Sequence, residues 1–107
     1  MRPRVFGEIF ICRFPFTSGA FSKPRPVLVL FDLQQDVLIC RITSATRSEP
    51  LDVPISDWEQ AGLAKPSVAR LDRLVTAEKT ILGRKLGKLS SRDEQTIRRA
   101  WNQQMRL

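Results

Sequence analysis

From Val5 to Phe14 the side chains alternate, with Phe10, Cys12 and Phe14 on one face and Ile9, Ile11 and Arg13 on the other. A period of two with both faces largely apolar predicts a buried strand. Pro15 ends it, and the following stretch, which holds Gly19, Pro24 and Pro26, shows no apolar periodicity and reads as a loop. Val27-Leu28-Val29-Leu30-Phe31 predicts a second strand and Val37 to Thr43 a third, with Gln34-Gln35-Asp36 as the turn between them. Ser56-Asp57-Trp58-Glu59 fits an S-x-x-E capping box and Gly62 a C-terminal cap, so a helix of barely two turns is expected there. Ser67 to Val75 and Lys79 to Leu86 read as two further strands, the first setting Val68, Arg70 and Asp72 against Ala69, Leu71 and Arg73. Ser91-Arg92-Asp93-Glu94 repeats the capping box, and Ile97, Ala100, Trp101 and Met105 then fall at helical spacing. Arg98, Arg99, Gln103 and Arg106 lie off that stripe, so an amphipathic C-terminal helix packs its apolar side on the sheet.

The pattern describes a mainly β chain with helices (β+α): a mostly antiparallel barrel or strongly curved sheet, a short inserted helix and a C-terminal helix. No internal repeat or linker interrupts it, so residues 1–107 are expected to form a single domain.

Composition narrows the class. Hydrophobic residues make up 42% and charged residues 27%, ordinary globular usage that excludes disordered and fibrous classes. No run approaches the ~18 apolar residues of a membrane span, and Met1-Arg2-Pro3-Arg4 leads into a strand rather than a signal peptide, so a cytoplasmic protein is expected. Cys12 and Cys40 lack C-x-x-C spacing and the chain holds no histidine, so two reduced core thiols are expected and neither metal nor cofactor is called for.

Charge changes the picture more. Residues 1–64 hold 7 Lys/Arg against 7 Asp/Glu, while residues 65–107 hold 11 against 4, so the whole net charge of +7 lies in the second part. A basic surface draws polyanions by neutralising phosphates and releasing counterions, which makes nucleic acid the leading partner class; the alternative is a solvated basic face that keeps the protein soluble.

Particular strings then carry a resemblance. Gly7-Glu8-Ile9-Phe10, Phe14-Pro15-Phe16, Lys23-Pro24-Arg25-Pro26-Val27-Leu28-Val29 and Ile42-Thr43-Ser44 follow one another in order. They continue through Asp57-Trp58-Glu59-Gln60-Ala61-Gly62-Leu63, Pro66-Ser67-Val68-Ala69-Arg70-Leu71-Asp72-Arg73-Leu74 and Leu86-Gly87-Lys88-Leu89-Ser90. In this order and spacing they resemble the MazF/PemK family of toxin–antitoxin endoribonucleases over roughly residues 5 to 101. The resemblance implies an SH3-like barrel, a homodimer, metal-independent cleavage of single-stranded messenger RNA to 2′,3′-cyclic phosphate and 5′-hydroxyl ends, and neutralisation by a cognate antitoxin with an acidic tail.

The residues themselves suit that chemistry. RNA self-cleavage needs the 2′-hydroxyl deprotonated, the extra charge of the pentavalent phosphorus stabilised and the departing 5′-oxygen protonated. Without histidine, arginine and a carboxylate must serve. Arg25 follows a loop and opens a strand, so its fork can be aimed at a phosphate. The resemblance makes it catalytic and makes Thr43 its partner, with Ser44 offering a second hydroxyl donor. Arg70 and Asp72, spaced Arg-x-Asp on one face of a strand, are either a second catalytic pair, as in another branch of the resembling family, or a surface ion pair worth under ~1 kcal/mol. That branch carries a histidine in the loop after the first strand, where this chain has Gly19-Ala20-Phe21. Phe16 and Phe21 either stack on an unpaired base or pack the loop, and Lys23 either meets a backbone phosphate or stays solvated. Trp58 and Trp101 fall on apolar sides and read as core anchors. Two other functions fit the same fold: a gyrase poison resembling CcdB and a passive RNA-binding module.

Overall fold

In a computed structural model of the chain, residues 3–13, 23–44 and 49–107 are described. Among the described residues six strands, β1 (Glu8–Cys12), β2 (Arg25–Leu33), β3 (Asp36–Thr43), β4 (Asp52–Ile55), β5 (Ser67–Glu78) and β6 (Leu82–Lys88), precede one α-helix, α1 (Ser91–Gln104), with a 3-10 turn over Lys79–Ile81 between β5 and β6. They form one antiparallel sheet in the order β4-β5-β3-β2-β1-β6. The ladder carries register shifts on β1·β6, β2·β3 and β3·β5, irregularities of the kind that bend and twist strands. β4 and β6 end the sheet, which is not closed among the described residues; of the expected barrel or strongly curved sheet, the structure has the open, irregular sheet.

Alternation within the strands builds two cores. Ile9, Leu28, Leu30, Cys40, Ile42, Ala69 and Leu71 face α1, whose Ile97 is buried among them while Ala100, Trp101 and Met105 flank it. Phe10, Cys12, Val27, Val29, Val37 and Ile39 form a second cluster. Each fully buried aliphatic side chain contributes about 1.5–3 kcal/mol relative to exposure, and both clusters draw on the same central strands. The apolar run of each central strand follows from this, since neither face is free to be polar. Cys12 and Cys40 are buried thiols outside any disulfide among the described residues, and burial pushes the Cys40 thiol up to about 12.

Three local expectations change. β4 went unseen because it is four residues long and contains Pro54, a residue tolerated on a sheet edge where its missing N–H leaves no ladder bond unmade. The expected inserted helix is a set of turns over residues 56–62. Its C-terminal cap forms nevertheless: Gly62 has φ +87°, its N–H donates to the Glu59 carbonyl at 3.0 Å, and the Leu63 N–H donates to the Trp58 carbonyl at 3.0 Å. This is the paired bonding of a Schellman motif, closed after a single turn. The N-terminal cap of α1 is Ser90 rather than Ser91; its Oγ accepts from the Asp93 N–H at 3.2 Å and donates to Asp57 Oδ2 at 2.6 Å. Asp93 does not close a capping box on its own helix. Its carboxylate accepts the Ser56 N–H at 3.0 Å and the Asp57 N–H at 2.8 Å, tying the 56–62 turn to the start of α1.

Candidate functional site

Strand register decides which charged side chains meet. On β2, Arg25 stands opposite Cys12 of β1, and Val27 stands opposite both Phe10 of β1 and Arg41 of β3. The same register carried two residues further brings Arg25 beside Thr43, the last residue of β3. Residues opposite one another share a sheet face, so Arg25, Arg41 and Thr43 lie on the side of the Phe10–Val27 cluster, at its end. On β5, Arg70 stands opposite Arg41 and Val68 opposite Thr43; on β4, Asp52 stands opposite Arg70. Four adjacent strands thus place Arg25, Arg41, Thr43, Arg70 and Asp52 at one end of one face.

Electrostatics make this end unusual. Arg70 Nε lies 3.3 Å from Asp52 Oδ1, with the two side chains 12% and 1% exposed, and Asp52 Oδ2 accepts the Glu49 N–H at 2.9 Å. Arg41 is half-buried. Burial first, then the neighbouring charges of Arg25, Arg70 and Arg73, hold its guanidinium below the usual arginine pKa. Its buried Nε has no hydrogen-bond partner among the described residues. Asp52 offsets the charge of Arg70, while Arg25, Arg70 and Arg73 still crowd positive charge around Arg41, a repulsion that a bound anion would relieve. Planar guanidinium forks in such a group match the oxygens of phosphate.

Of the residues singled out from sequence, Arg25, Thr43 and Arg70 are brought to this end. Asp72 is exposed and follows the point where the β3·β5 register jumps, with Arg41 opposite Arg70 but Cys40 opposite Leu74. The extra residues bulge from the ladder, so even alternation no longer fixes Asp72 beside Arg70, and the ion pair at Arg70 is made with Asp52. Ser44, exposed, lines a groove of about 450 Å³ with Pro54, Ile55, Trp58, Ser67 and Val68. Lys23 is exposed two residues before Arg25. Phe16 and Phe21 lie outside the described residues.

Two residues of the site escaped sequence reasoning. Arg41 had a signal, since it is the one charge in the apolar run Val37 to Ile42. Asp52 had none, because its pairing depends on β4. Among the described residues no group of three or more His, Cys, Asp or Glu is placed to hold a metal ion, and no helix is long and apolar enough to cross a membrane.

Comparison with known proteins identifies the fold and the family. The chain's fold is similar to the Mycobacterium tuberculosis toxin MazF-mt6, at 29% identity and a TM-score of 0.71, covering 94% of each chain. It is similar to an endoribonuclease in complex with its cognate antitoxin from a mycobacterial species, at 22% identity and a TM-score of 0.71, covering 95% of this chain and 94% of that one. It is also similar to MazF from Deinococcus radiodurans, at 17% identity and a TM-score of 0.73, covering 98% of both. No curated protein matches the chain significantly. Residues 6–105 match the family described as PemK-like, MazF-like toxin of type II toxin–antitoxin system, and the chain belongs to that family.

Proposed function

We propose that this toxin is a sequence-selective, metal-independent endoribonuclease acting on single-stranded messenger RNA in the cytoplasm. The observation that carries the reading is the gathering of Arg25, Arg70 and Arg73 around Arg41 at the end of the face that also holds Thr43. Two of the similar structures, both from mycobacterial species, are named endoribonucleases, which accords with it.

In the reaction, the 2′-oxygen attacks the adjacent phosphorus, the bond from phosphorus to the 5′-oxygen breaks, and a 2′,3′-cyclic phosphate and a 5′-hydroxyl remain. Arg25 and the Thr43 hydroxyl bind the non-bridging oxygens and stabilise the charge that grows on them. Arg70, held by Asp52, supplies a second guanidinium. Asp72 is the candidate to accept the 2′-hydroxyl proton, and water protonates the departing 5′-oxygen. A guanidinium holds its proton firmly, so the arginines act by charge rather than by proton transfer. Lys23 and Ser44 meet flanking phosphates, and Phe16 and Phe21 stack on unpaired bases. The arginine-rich donor set favours phosphate over a divalent cation, hence the metal independence. A homodimer and a cognate antitoxin whose acidic segment covers the arginine face complete the proposal.

Incubation with a long RNA in EDTA, followed by mapping of the ends, tests the reading. Cyclic-phosphate and 5′-hydroxyl ends at a recurring sequence support it. Intact RNA from folded protein overturns it and favours a gyrase-directed toxin or a passive RNA binder.

A further inference from the structure

We propose that Arg41 is a substrate-binding residue, gripping the RNA backbone phosphate next to the one held by Arg25. The inference rests on the RNA-cleaving reading above and adds to it a residue that the catalytic steps leave unused.

Its position argues first. Arg41 lies on the central strand of the site, opposite Val27 of β2 and Arg70 of β5, with Arg25 and Thr43 one step along the same face. A run of phosphates crossing from β2 to β5 at this end passes over Arg41 before reaching Arg70.

Its environment argues second. Cross-strand like charges destabilise a sheet, and Arg41 faces Arg70 directly. It is half-buried, and its buried Nε lacks a hydrogen-bond partner among the described residues. Buried polar groups are ordinarily paired, and an apolar side chain of similar length would fill this place without the repulsion. The feature that costs the empty fold is the one an anion would use. A phosphate bound by the Arg41 guanidinium offsets the repulsion that Arg25, Arg70 and Arg73 exert on it.

Half-burial also gives Arg41 a task distinct from that of exposed Arg25. Packing restricts its rotamers before substrate arrives, so less ordering entropy opposes binding than for a free surface cation.

The test uses the full chain and a short single-stranded RNA whose 2′-hydroxyls are methylated, which binds but cannot be cut. Affinity is measured against salt for wild type, Arg41→Met, Arg41→Lys and, as a control on α1, Arg98→Met. Removing a single cation from a phosphate lowers the log–log salt slope by about 0.7. Arg41→Met is expected to show a slope smaller by that amount and to bind at least tenfold more weakly, while melting at or above the wild-type temperature. Arg41→Lys is expected to keep the slope but bind more weakly, and Arg98→Met to match wild type. Wild-type affinity and slope in Arg41→Met overturn the proposal, as does a Met variant that melts well below wild type and binds normally once folded. If Arg41→Met binds as wild type while Arg25→Ala abolishes cleavage, only the Arg41 inference fails. If wild type shows no salt-dependent RNA binding, the endoribonuclease reading fails and takes the inference with it.

Discussion

Arg70 and Asp52 stand opposite each other on β5 and β4, with Nε and Oδ1 3.3 Å apart and the carboxylate side chain only 1% exposed. The pair joins the sheet edge to the proposed site, so it has both a structural and a functional consequence. Removing one partner of a buried ion pair strands the other charge, and Asp52→Ala is expected to cost about 3 kcal/mol. Because Arg70 loses its anchor, RNA cleavage should fall as well. Urea unfolding and cleavage assays check both; a variant of wild-type stability would show the pair to be incidental.

Asp93 has a purely structural prediction. It is 1% exposed and accepts two backbone N–H groups from the 56–62 turn. Asp93→Ala leaves both donors unsatisfied and is expected to destabilise the fold by about 2–4 kcal/mol. Ser90→Ala, which removes the cap of α1, is expected to cost about 1 kcal/mol. Denaturant midpoints that rank Ser90→Ala as the more damaging would contradict the network described.

Gly62 joins the same turn to β6. Its φ is +87°, and a Cβ there would collide with the Leu86 carbonyl oxygen. Backbone conformation and crowding both oppose a side chain, so Gly62→Ala is expected to cost more than the ~1 kcal/mol of an ordinary glycine substitution. Thermal unfolding measures it directly, and a neutral result would mean that the turn packs otherwise.

Acid should weaken the fold partly through Asp32. Hydrogen bonds from the Lys79 ammonium and from the Arg4 and Gln34 backbone N–H groups hold its carboxyl down to about 2 from the usual 3.8. A lowered folded-state pKa stabilises above the unfolded value, so the contribution is complete above 3.8 and is lost as the pH falls through about 2. The stability gap between wild type and Asp32→Asn should therefore close on acidification across that window. A gap that stays constant with pH would remove Asp32 from the explanation of acid sensitivity.

Much of this molecule can be read from its sequence. Alternation revealed β1 and β5, and compact apolar runs revealed β2 and β3, which are buried on both faces; the last strand was expected over Lys79–Leu86, but a 3-10 turn takes Lys79–Ile81 and β6 runs from Leu82 to Lys88. The stripe of Ile97, Ala100 and Trp101 revealed α1 in the same way, through a buried side facing the sheet. What escaped was non-local. β4 is short, carries Pro54 and gains its identity from pairing with β5, so Asp52 could not be joined to Arg70 in advance. The jump after Arg70 interrupts the even spacing that had set Asp72 on the same face, and no local pattern announces such a bulge. At the site, motif order pointed to Arg25 and Thr43, whereas Arg41, a lone charge in an apolar run, gained its meaning only when register set it opposite Arg70 and beside Arg25. Net charge was a poor guide to position. All of it lies in residues 65–107, yet Lys79, Lys85, Lys88 and Arg92 are engaged with Asp32, Glu8, Glu94 and Asp57, and the clustered arginines come from both parts of the chain.

The central claim is that the arginine face cleaves RNA through charge placed at the scissile phosphate. Single-turnover cleavage of a short single-stranded RNA in EDTA, by wild type and by folded Arg25→Ala, tests it most directly. Wild type is expected to cleave, and the variant to cleave about 10²–10³-fold more slowly, the loss expected when one preorganised donor to a developing oxyanion is removed. Equal rates for the two proteins, or no cleavage by the wild type, would contradict it.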